Sequence, residues 1–136
     1  MIVDSSAVVA IIRAESDAAR YAVALAQADR PRMCAANWLE AAVVVDSAHD
    51  PVASRRFDDV IEVAAIEIVP VTPAQAVLAR QAYRDFGRGS GSAAQLNFGD
   101  CFAYALAAEA HEPILFKGND FVHTDLVAAD VPSSGP

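Results

Sequence analysis

The sequence is poor in the residues that build disulfide frameworks and zinc sites. It contains two cysteines, Cys34 and Cys101, and three histidines among 136 residues. Both cysteines lie among apolar neighbours, and they form no C-x-x-C pair. We therefore expect two buried, reduced thiols, and we expect neither a disulfide nor a zinc site.

Long apolar runs are also missing, although 54% of the residues are hydrophobic. No stretch approaches the ~18 consecutive apolar residues of a membrane-spanning helix. The N-terminus reaches Asp4 without the basic region that opens a secretory signal. These features predict a cytoplasmic protein with no membrane partner. The length predicts one domain over residues 1–130, followed by a disordered tail over residues 131–136.

Positive charge is scarce, because 10 Lys and Arg residues stand against 18 Asp and Glu residues, for a net charge of −8. This balance argues against a protein that coats nucleic acid through a broad basic surface. Local phosphate contacts remain open, since most of the basic residues are arginines and several occur in pairs such as Arg84 and Arg88. The planar fork of arginine suits phosphate better than the point charge of lysine.

Short apolar or β-branched segments alternate with helical patterns along the chain. Strands are predicted at residues 1–3, 32–36, 66–71 and 113–116, with helices between them. Such alternation predicts crossover connections and a mostly parallel central sheet with helices on both faces. The predicted fold class is therefore a three-layer α/β/α sandwich.

Polar residues at the predicted helix starts carry further expectations. The acids of residues 15–17 are expected in the first turn of the second helix, where free N–H groups favour negative charge. Asn37 and Glu40 are expected to form a capping box at the start of the third helix. Asn97 is expected to cap a later helix that carries Asp100 in its first turn.

Four carboxylates follow predicted strands or open predicted helices: Asp4, Glu40, Asp100 and Asp120. Ligands of parallel α/β folds bind beyond the carboxyl ends of the strands, so one edge of the sheet can gather all four. Like charges at short range disfavour ionisation, and a divalent cation relieves that cost. Oxygen ligands suit Mg²⁺ or Mn²⁺, which keep several waters and bind phosphates. The pattern predicts a site at which a metal-activated water attacks a phosphodiester.

The segments that carry these acids resemble the PIN-domain ribonucleases, and within them the VapC toxins of bacterial toxin–antitoxin pairs. The matching segments are residues 2–7, 38–40, 96–107 and 115–121, which together span nearly the whole chain. Members of the family often carry Thr where this chain has Ser5, which is a mild departure. The resemblance implies a PIN-like sandwich and a metal-dependent ribonuclease.

The resemblance also implies a role for each site residue. Asp4 and Asp100 would hold the Mg²⁺ or Mn²⁺ most directly. Glu40 and Asp120 would complete the catalytic cluster of acids, and Ser6 would support Asp4.

Three kinds of partner follow from the same resemblance. The first is an RNA substrate; separately from the resemblance, we expect Arg84 and Arg88 to bind its phosphates, because a glycine-serine loop lies between them and Asp100. The second is another copy of the chain in a homodimer. The third is a cognate VapB-type antitoxin, in a heterotetramer or larger assembly, with an amphipathic helix in a groove among the first four helices.

Two alternatives remain at this stage. Another metal-dependent phosphoryl-transfer enzyme would also gather acids, but receiver domains need adjacent acids and haloacid-type phosphatases need Asp-x-Asp after the first strand. Asp4-Ser5-Ser6 matches neither pattern. A non-catalytic interaction module would use the four acids only as helix caps.

Overall fold

The computed structural model describes residues 1–133, and in them four strands form one parallel sheet. The strands are Ile2–Val3 (β1), Arg32–Cys34 (β2), Glu67–Val69 (β3) and Ile114–Leu115 (β4). The helices are Ser5–Ile12 (α1), Ala18–Gln27 (α2), Ala35–Asp46 (α3), Pro51–Val63 (α4), Pro73–Phe86 (α5) and Phe98–Ala110 (α6). The strand order across the sheet is β3-β2-β1-β4.

Successive residues of the central strands face opposite sides of the sheet. Val3 and Leu115 pack into an apolar cluster with α1, α2, α3 and α4. Ile2 and Ile114 pack into a second cluster with α5 and α6. Both faces of the sheet are therefore buried, as is usual for parallel sheets. The predicted three-layer α/β/α sandwich is confirmed.

The predicted capping box of Asn37 and Glu40 is wrong. Helix α3 begins at Ala35, directly after β2, and its N-cap is Cys34, which makes no side-chain capping bond. Asn37 is fully buried, and its amide donates to the carbonyl of Gly99 at 2.9 Å. Because β2 continues straight into the helix, the cap position falls on the last residue of the strand. The Asn37 amide instead connects α3 to α6.

The prediction for residues 15–17 is also wrong, because α2 begins only at Ala18. Glu15 and Asp17 both accept hydrogen bonds from the Lys117 ammonium, at 2.9 Å for Asp17. These acids therefore join the loop before α2 to the segment that follows β4. Glu15 and Asp17 therefore form ion pairs with Lys117 instead of the predicted interaction with the free N–H groups at the start of α2.

Two further features concern the length of the helices and the contacts of the C-terminal segment. Among residues 1–133, no helix has both the length and the apolar character needed to cross a membrane. Val131 packs against the α1–α4 side of the core, and the carbonyl of Pro132 accepts from Arg20. The other end of the predicted tail, residues 134–136, lies outside the described residues.

Candidate active site

The candidate site lies where the sheet changes its direction of winding. The chain passes from β1 to β2 and β3 on one side, and it returns to the other side of β1 only with β4. Ligand sites of parallel α/β sheets form at such a point, beyond the carboxyl ends of the strands. Asp4 follows β1 and Asp120 follows β4 at this edge.

Asp4 is buried at the N-cap of α1 and is only partly satisfied by hydrogen bonds. Its Oδ2 accepts from the Ser6 amide at 3.0 Å and from the Ser6 hydroxyl at 2.6 Å. The Ser6 Oγ in turn accepts from the Lys117 amide at 3.0 Å. Asp4 Oδ1 is buried without a hydrogen-bond partner. Burial is the largest cause that raises the pKa of Asp4, to about 6, and the charge of Glu40 contributes.

Asp100 is buried in the first turn of α6, and the prediction that Asn97 caps this helix is confirmed. Its amide donates to Asn97 Oδ1 at 2.9 Å, and its Oδ2 accepts from the Asn97 amide at 3.0 Å. Burial is the largest cause that raises the pKa of Asp100, to about 7, and the charges of Asp4 and Asp120 contribute. Asp120 itself is exposed in the turn after β4.

Glu40 approaches the same edge from the middle of α3. Its Oε1 accepts from the Ser5 hydroxyl at 2.6 Å and from the Asn37 amide at 3.4 Å. The charge of Glu40 contributes to the raised pKa of Asp4, and the charges of Asp4 and Asp120 contribute to the raised pKa of Asp100. We call these four residues the acidic cluster.

Gly99 is the point at which α6 meets Glu40. A Cβ atom at residue 99 would lie 2.0 Å from Glu40 Oε2 and 2.7 Å from its Cδ. The glycine therefore leaves the space that the Glu40 carboxylate occupies beside Asp100. The sequence did not identify Gly99 as a site residue. The requirement for glycine comes from the close approach of Glu40, which depends on tertiary packing, and not from a positive backbone φ.

The two predicted RNA-binding arginines line different hollows, because Arg84 lies on α5 and Arg88 lies in the loop that follows it. Arg88 lines a groove between α5 and α6, next to Asn97. Arg84 instead lines a separate hollow with Val77 and Gln81. Arg80, which the sequence did not single out, borders both.

Comparison with known proteins decides the family, since the PIN domain model matches residues 1–126. The chain belongs to the PIN-domain family. Its relatives place it among the VapC proteins. It is 59% identical to ribonuclease VapC28 of Mycobacterium tuberculosis over 129 residues, which cover 95% of this chain and 97% of the relative. It is 45% identical to ribonuclease VapC42 of the same species over 126 residues, which cover 93% and 96%.

Solved structures agree with this VapC fold. VapC20 of Mycobacterium tuberculosis, described as a sarcin–ricin loop cleaving toxin, aligns with a TM-score of 0.75 and 16% identity over 96% of this chain and 98% of that chain. A chain from a toxin–antitoxin complex of Klebsiella pneumoniae aligns with a TM-score of 0.70 and 13% identity, covering 93% and 94%. At these identities the likeness concerns the fold alone.

In this VapC-family site, Gly99→Ala is expected to lower catalysis while leaving the fold intact. The added methyl group meets the flexible end of Glu40, so the carboxylate moves and the backbone stays in place. Misplacement of a catalytic group by about 1 Å can cost roughly a hundredfold in rate. The measurement is kcat for RNA cleavage, together with the melting temperature.

A double-mutant cycle with Glu40→Gln provides the control. If Gly99 acts through Glu40, the combined variant should be hardly slower than Glu40→Gln alone, since residues in contact are not additive. Additive losses would show that Gly99 acts elsewhere.

Proposed function

We propose that this chain is a divalent-metal-dependent ribonuclease that acts in the cytoplasm as the toxin of a VapBC-type toxin–antitoxin module. The observation that carries the proposal is the acidic cluster at the sheet edge, in which Asp4 and Asp100 are both buried and the charge of Asp4 raises the pKa of Asp100. The names of the VapC relatives, which are ribonucleases, support the same activity.

The donors of the acidic cluster suit a hard divalent cation. In residues 1–133, no three acidic, histidine or cysteine side chains are arranged as a ready ligand set. The unpartnered, buried Oδ1 of Asp4 nevertheless offers a free oxygen, and the raised pKa values of Asp4 and Asp100 mark negative charge that a cation would stabilise. Mg²⁺ or Mn²⁺ fits these oxygens and keeps water for its other positions. Asp4 and Asp100 would hold it.

The proposed reaction is attack of water on a phosphodiester, in which a new P–O bond forms and the bond to the leaving oxygen breaks. A bound divalent ion supplies water activation and charge stabilisation for this chemistry. Glu40, held by the Ser5 hydroxyl, and Asp120, open to solvent, are the carboxylates placed to accept the proton from the attacking water. Ser6 keeps Asp4 oriented through the bonds to its Oδ2.

The non-catalytic alternative accounts for only half of the acidic cluster. Asp4 and Asp100 do accept bonds from amides at helix starts. Glu40, however, lies beyond the first turn of α3, and Asp120 lies in a turn outside the helices. Helix capping therefore gives no reason for these two acids to converge on the other two.

A groove between α1, α2 and α4 suits the proposed antitoxin partner. It has a volume of about 270 Å³, and Val63 at its side is 86% exposed. All of its lining side chains are apolar: Ile11, Ala22, Leu25, Ala26, Val60, Val63 and Ala64. An amphipathic helix buries its apolar face in such a groove. We propose that the antitoxin binds here, to a homodimer, in a heterotetramer or larger assembly.

Mg²⁺ or Mn²⁺ is expected to raise the melting temperature of the wild-type protein. A ligand that binds only the native state stabilises it by RT ln(1 + [L]/Kd), which is about 2.7 kcal/mol at a hundred times Kd. The Asp4→Asn Asp100→Asn double variant should lose most of this increase. Thermal unfolding with and without each metal checks the expectation.

Two controls separate binding from general salt effects. KCl at matched ionic strength should leave both melting temperatures nearly unchanged. The exposed pair Asp58→Asn Asp59→Asn on α4 should keep the full metal effect. Equal metal shifts in the wild type and in the Asp4 Asp100 double variant would contradict a metal site at these two residues.

A further inference from the structure

An ion-paired group of side chains lies next to the acidic cluster, in the turn that follows β4. The Lys117 ammonium donates to Glu15 and, at 2.9 Å, to Asp17 Oδ1. Both acids belong to the loop between α1 and α2. We call Lys117, Glu15 and Asp17 the lysine clamp. The clamp connects the turn after β4 to a loop on the other side of α1.

The position of Asp17 favours a different use of its side chain. Asp17 is the N-cap residue of α2, where an aspartate usually accepts a hydrogen bond from an amide of the first turn. Its side chain forms no hydrogen bond to that turn. The contact with Lys117 therefore replaces a local helix cap.

The backbone of Lys117 reaches the acidic cluster through Ser6. The Lys117 amide donates to Ser6 Oγ at 3.0 Å, and this hydroxyl donates to Asp4 Oδ2 at 2.6 Å. A serine hydroxyl has one hydrogen, so an oxygen that accepts from Lys117 keeps that hydrogen for Asp4. The Ser6 amide donates to the same Oδ2 at 3.0 Å. These bonds hold Oδ2, whereas the buried Oδ1 has no hydrogen-bond partner among residues 1–133.

The turn that begins at Lys117 also carries Asp120, the exposed acid of the cluster. The far end of this turn is held by Phe121, which is buried and packs against Phe116 with ring centroids 5.2 Å apart. Lys117 and Phe121 therefore fix the two ends of the segment that presents Asp120.

The side chains of the lysine clamp are partly exposed, at 34% for Lys117 and 25% for Asp17. Ion pairs that water reaches contribute little to the stability of the whole protein. The clamp therefore has its effect on the position of the turn rather than on global unfolding.

We propose that the lysine clamp positions the acidic cluster. Glu15 and Asp17 hold Lys117 in place, so its amide keeps its bond to Ser6. Ser6 then donates to Asp4, whose Oδ1 stays free for the divalent cation. This inference rests on the proposed metal-dependent ribonuclease and adds three positioning residues to it, because the clamp acts on Asp4 only through Ser6.

The first test needs no metal. Amide hydrogen exchange followed by NMR in EDTA gives the protection factor of the residue 117 amide. Lys117→Met, which keeps an unbranched side chain but removes the charge, should lower this protection roughly 2- to 5-fold, the range typical of partly exposed ion pairs. Glu15→Gln Asp17→Asn should do the same. The amides of β1 and β2 should keep their protection, since the opening is local.

The second test measures Mn²⁺ binding by calorimetry in the absence of RNA. Lys117→Met and Glu15→Gln Asp17→Asn should each weaken Mn²⁺ binding about tenfold, the lower end of the range for residues that support metal ligands. Lys117→Arg keeps the positive charge and should bind Mn²⁺ like the wild type.

Charge alone predicts opposite effects for the two clamp variants. Lys117→Met removes a positive charge near the site, which by itself would strengthen the binding of a cation. Glu15→Gln Asp17→Asn removes two negative charges, which by itself would weaken it. Weaker binding in both variants is therefore the signature of positioning.

A double-mutant cycle and a matched ion pair provide the controls. Ser6→Ala combined with Lys117→Met should bind Mn²⁺ hardly more weakly than Ser6→Ala alone, because the two residues act in one chain of contacts. Arg32, which pairs with Glu112 and is 32% exposed, lies at the start of β2, at the opposite end of the sheet. Arg32→Met should therefore leave Mn²⁺ affinity unchanged.

Three results would overturn the lysine clamp. One is unchanged protection of the residue 117 amide in both clamp variants. Another is tighter Mn²⁺ binding in Lys117→Met with weaker binding in Glu15→Gln Asp17→Asn, which would leave only an effect of charge. The third is a raised KM for RNA in Lys117→Met with unchanged Mn²⁺ affinity, which would make Lys117 a phosphate contact. A wild-type protein that neither binds Mn²⁺ nor cleaves RNA would contradict the proposed function instead, and the exchange measurement would then decide the clamp by itself.

Discussion

Asp100→Asn is expected to abolish RNA cleavage in the presence of Mg²⁺ or Mn²⁺ while the protein stays folded. Asparagine keeps an oxygen for the bond from the Asn97 amide, so the start of α6 is retained. It removes one of the two carboxylates proposed to hold the metal. Since changes to the partners of metal ligands already cost about 10- to 100-fold, loss of a ligand should cost at least about a hundredfold. Single-turnover cleavage of a labelled RNA gives the rate.

The same substitution should raise the stability of the metal-free protein, and the effect should depend on pH. The pKa of Asp100 rises from 3.8 to about 7 on folding, chiefly because of burial. The native state therefore binds more protons than the unfolded state in this window, and stability falls as pH rises through it. The melting temperature of Asp100→Asn should exceed that of the wild type above the pKa of about 7 and match it below 3.8.

The control makes the same chemical change at an exposed acid. Asp58→Asn on α4 should cleave RNA like the wild type and show no comparable gain of stability. Full metal-dependent activity in Asp100→Asn, at a purity that excludes other nucleases, would show that Asp100 is not part of the catalytic machinery.

The strands and the acids at their ends could be predicted from sequence because local signals mark them. β1 is two apolar residues followed at once by Asp4, and Asp100 has Asn97 three residues before it as a cap. The order of strands and helices then requires a parallel sheet, which gathers residues after β1 and β4 at one edge. The prediction that the acids converge followed from these local signals and from this rule, together with the resemblance to the PIN-domain family.

The supporting contacts could not be predicted, because they join residues far apart in the chain. The Asn37 amide bonds to Gly99 rather than to its own helix start, and no local pattern distinguishes these uses. The place of Lys117 between Glu15 and Asp17 depends in the same way on tertiary packing. Which side of α5 lines the groove with α6 also depends on packing: Arg80 lines this groove, whereas Arg84 lines the hollow with Val77 and Gln81.

Expression of this chain alone in a bacterial host is expected to stop growth, because a ribonuclease without its antitoxin degrades cellular RNA. Growth should continue with Asp100→Asn, which keeps the fold but lacks the proposed metal ligand. Colony counts and cell density after induction, with protein levels matched by immunoblot, measure the effect. Growth arrest by both proteins would show that the toxicity does not come from the acidic cluster.

Co-expression with the small open reading frame immediately upstream of the gene is expected to restore growth. The groove between α1, α2 and α4 offers an antitoxin helix an apolar surface, and an arginine or lysine from the segment after that helix could then reach the acidic cluster. The unpartnered Oδ1 of Asp4 and the raised pKa of Asp100 indicate that the cluster would accept such a cation. Val63→Asp at the rim of the groove puts a charge in its apolar lining, so it should weaken antitoxin binding. Toxicity should then return in the co-expressing cells. RNA cleavage by the purified toxin should stay unchanged. If the neighbouring product neither binds nor inhibits the chain, the toxin–antitoxin role fails, whereas the nuclease assignment is decided by Asp100→Asn alone.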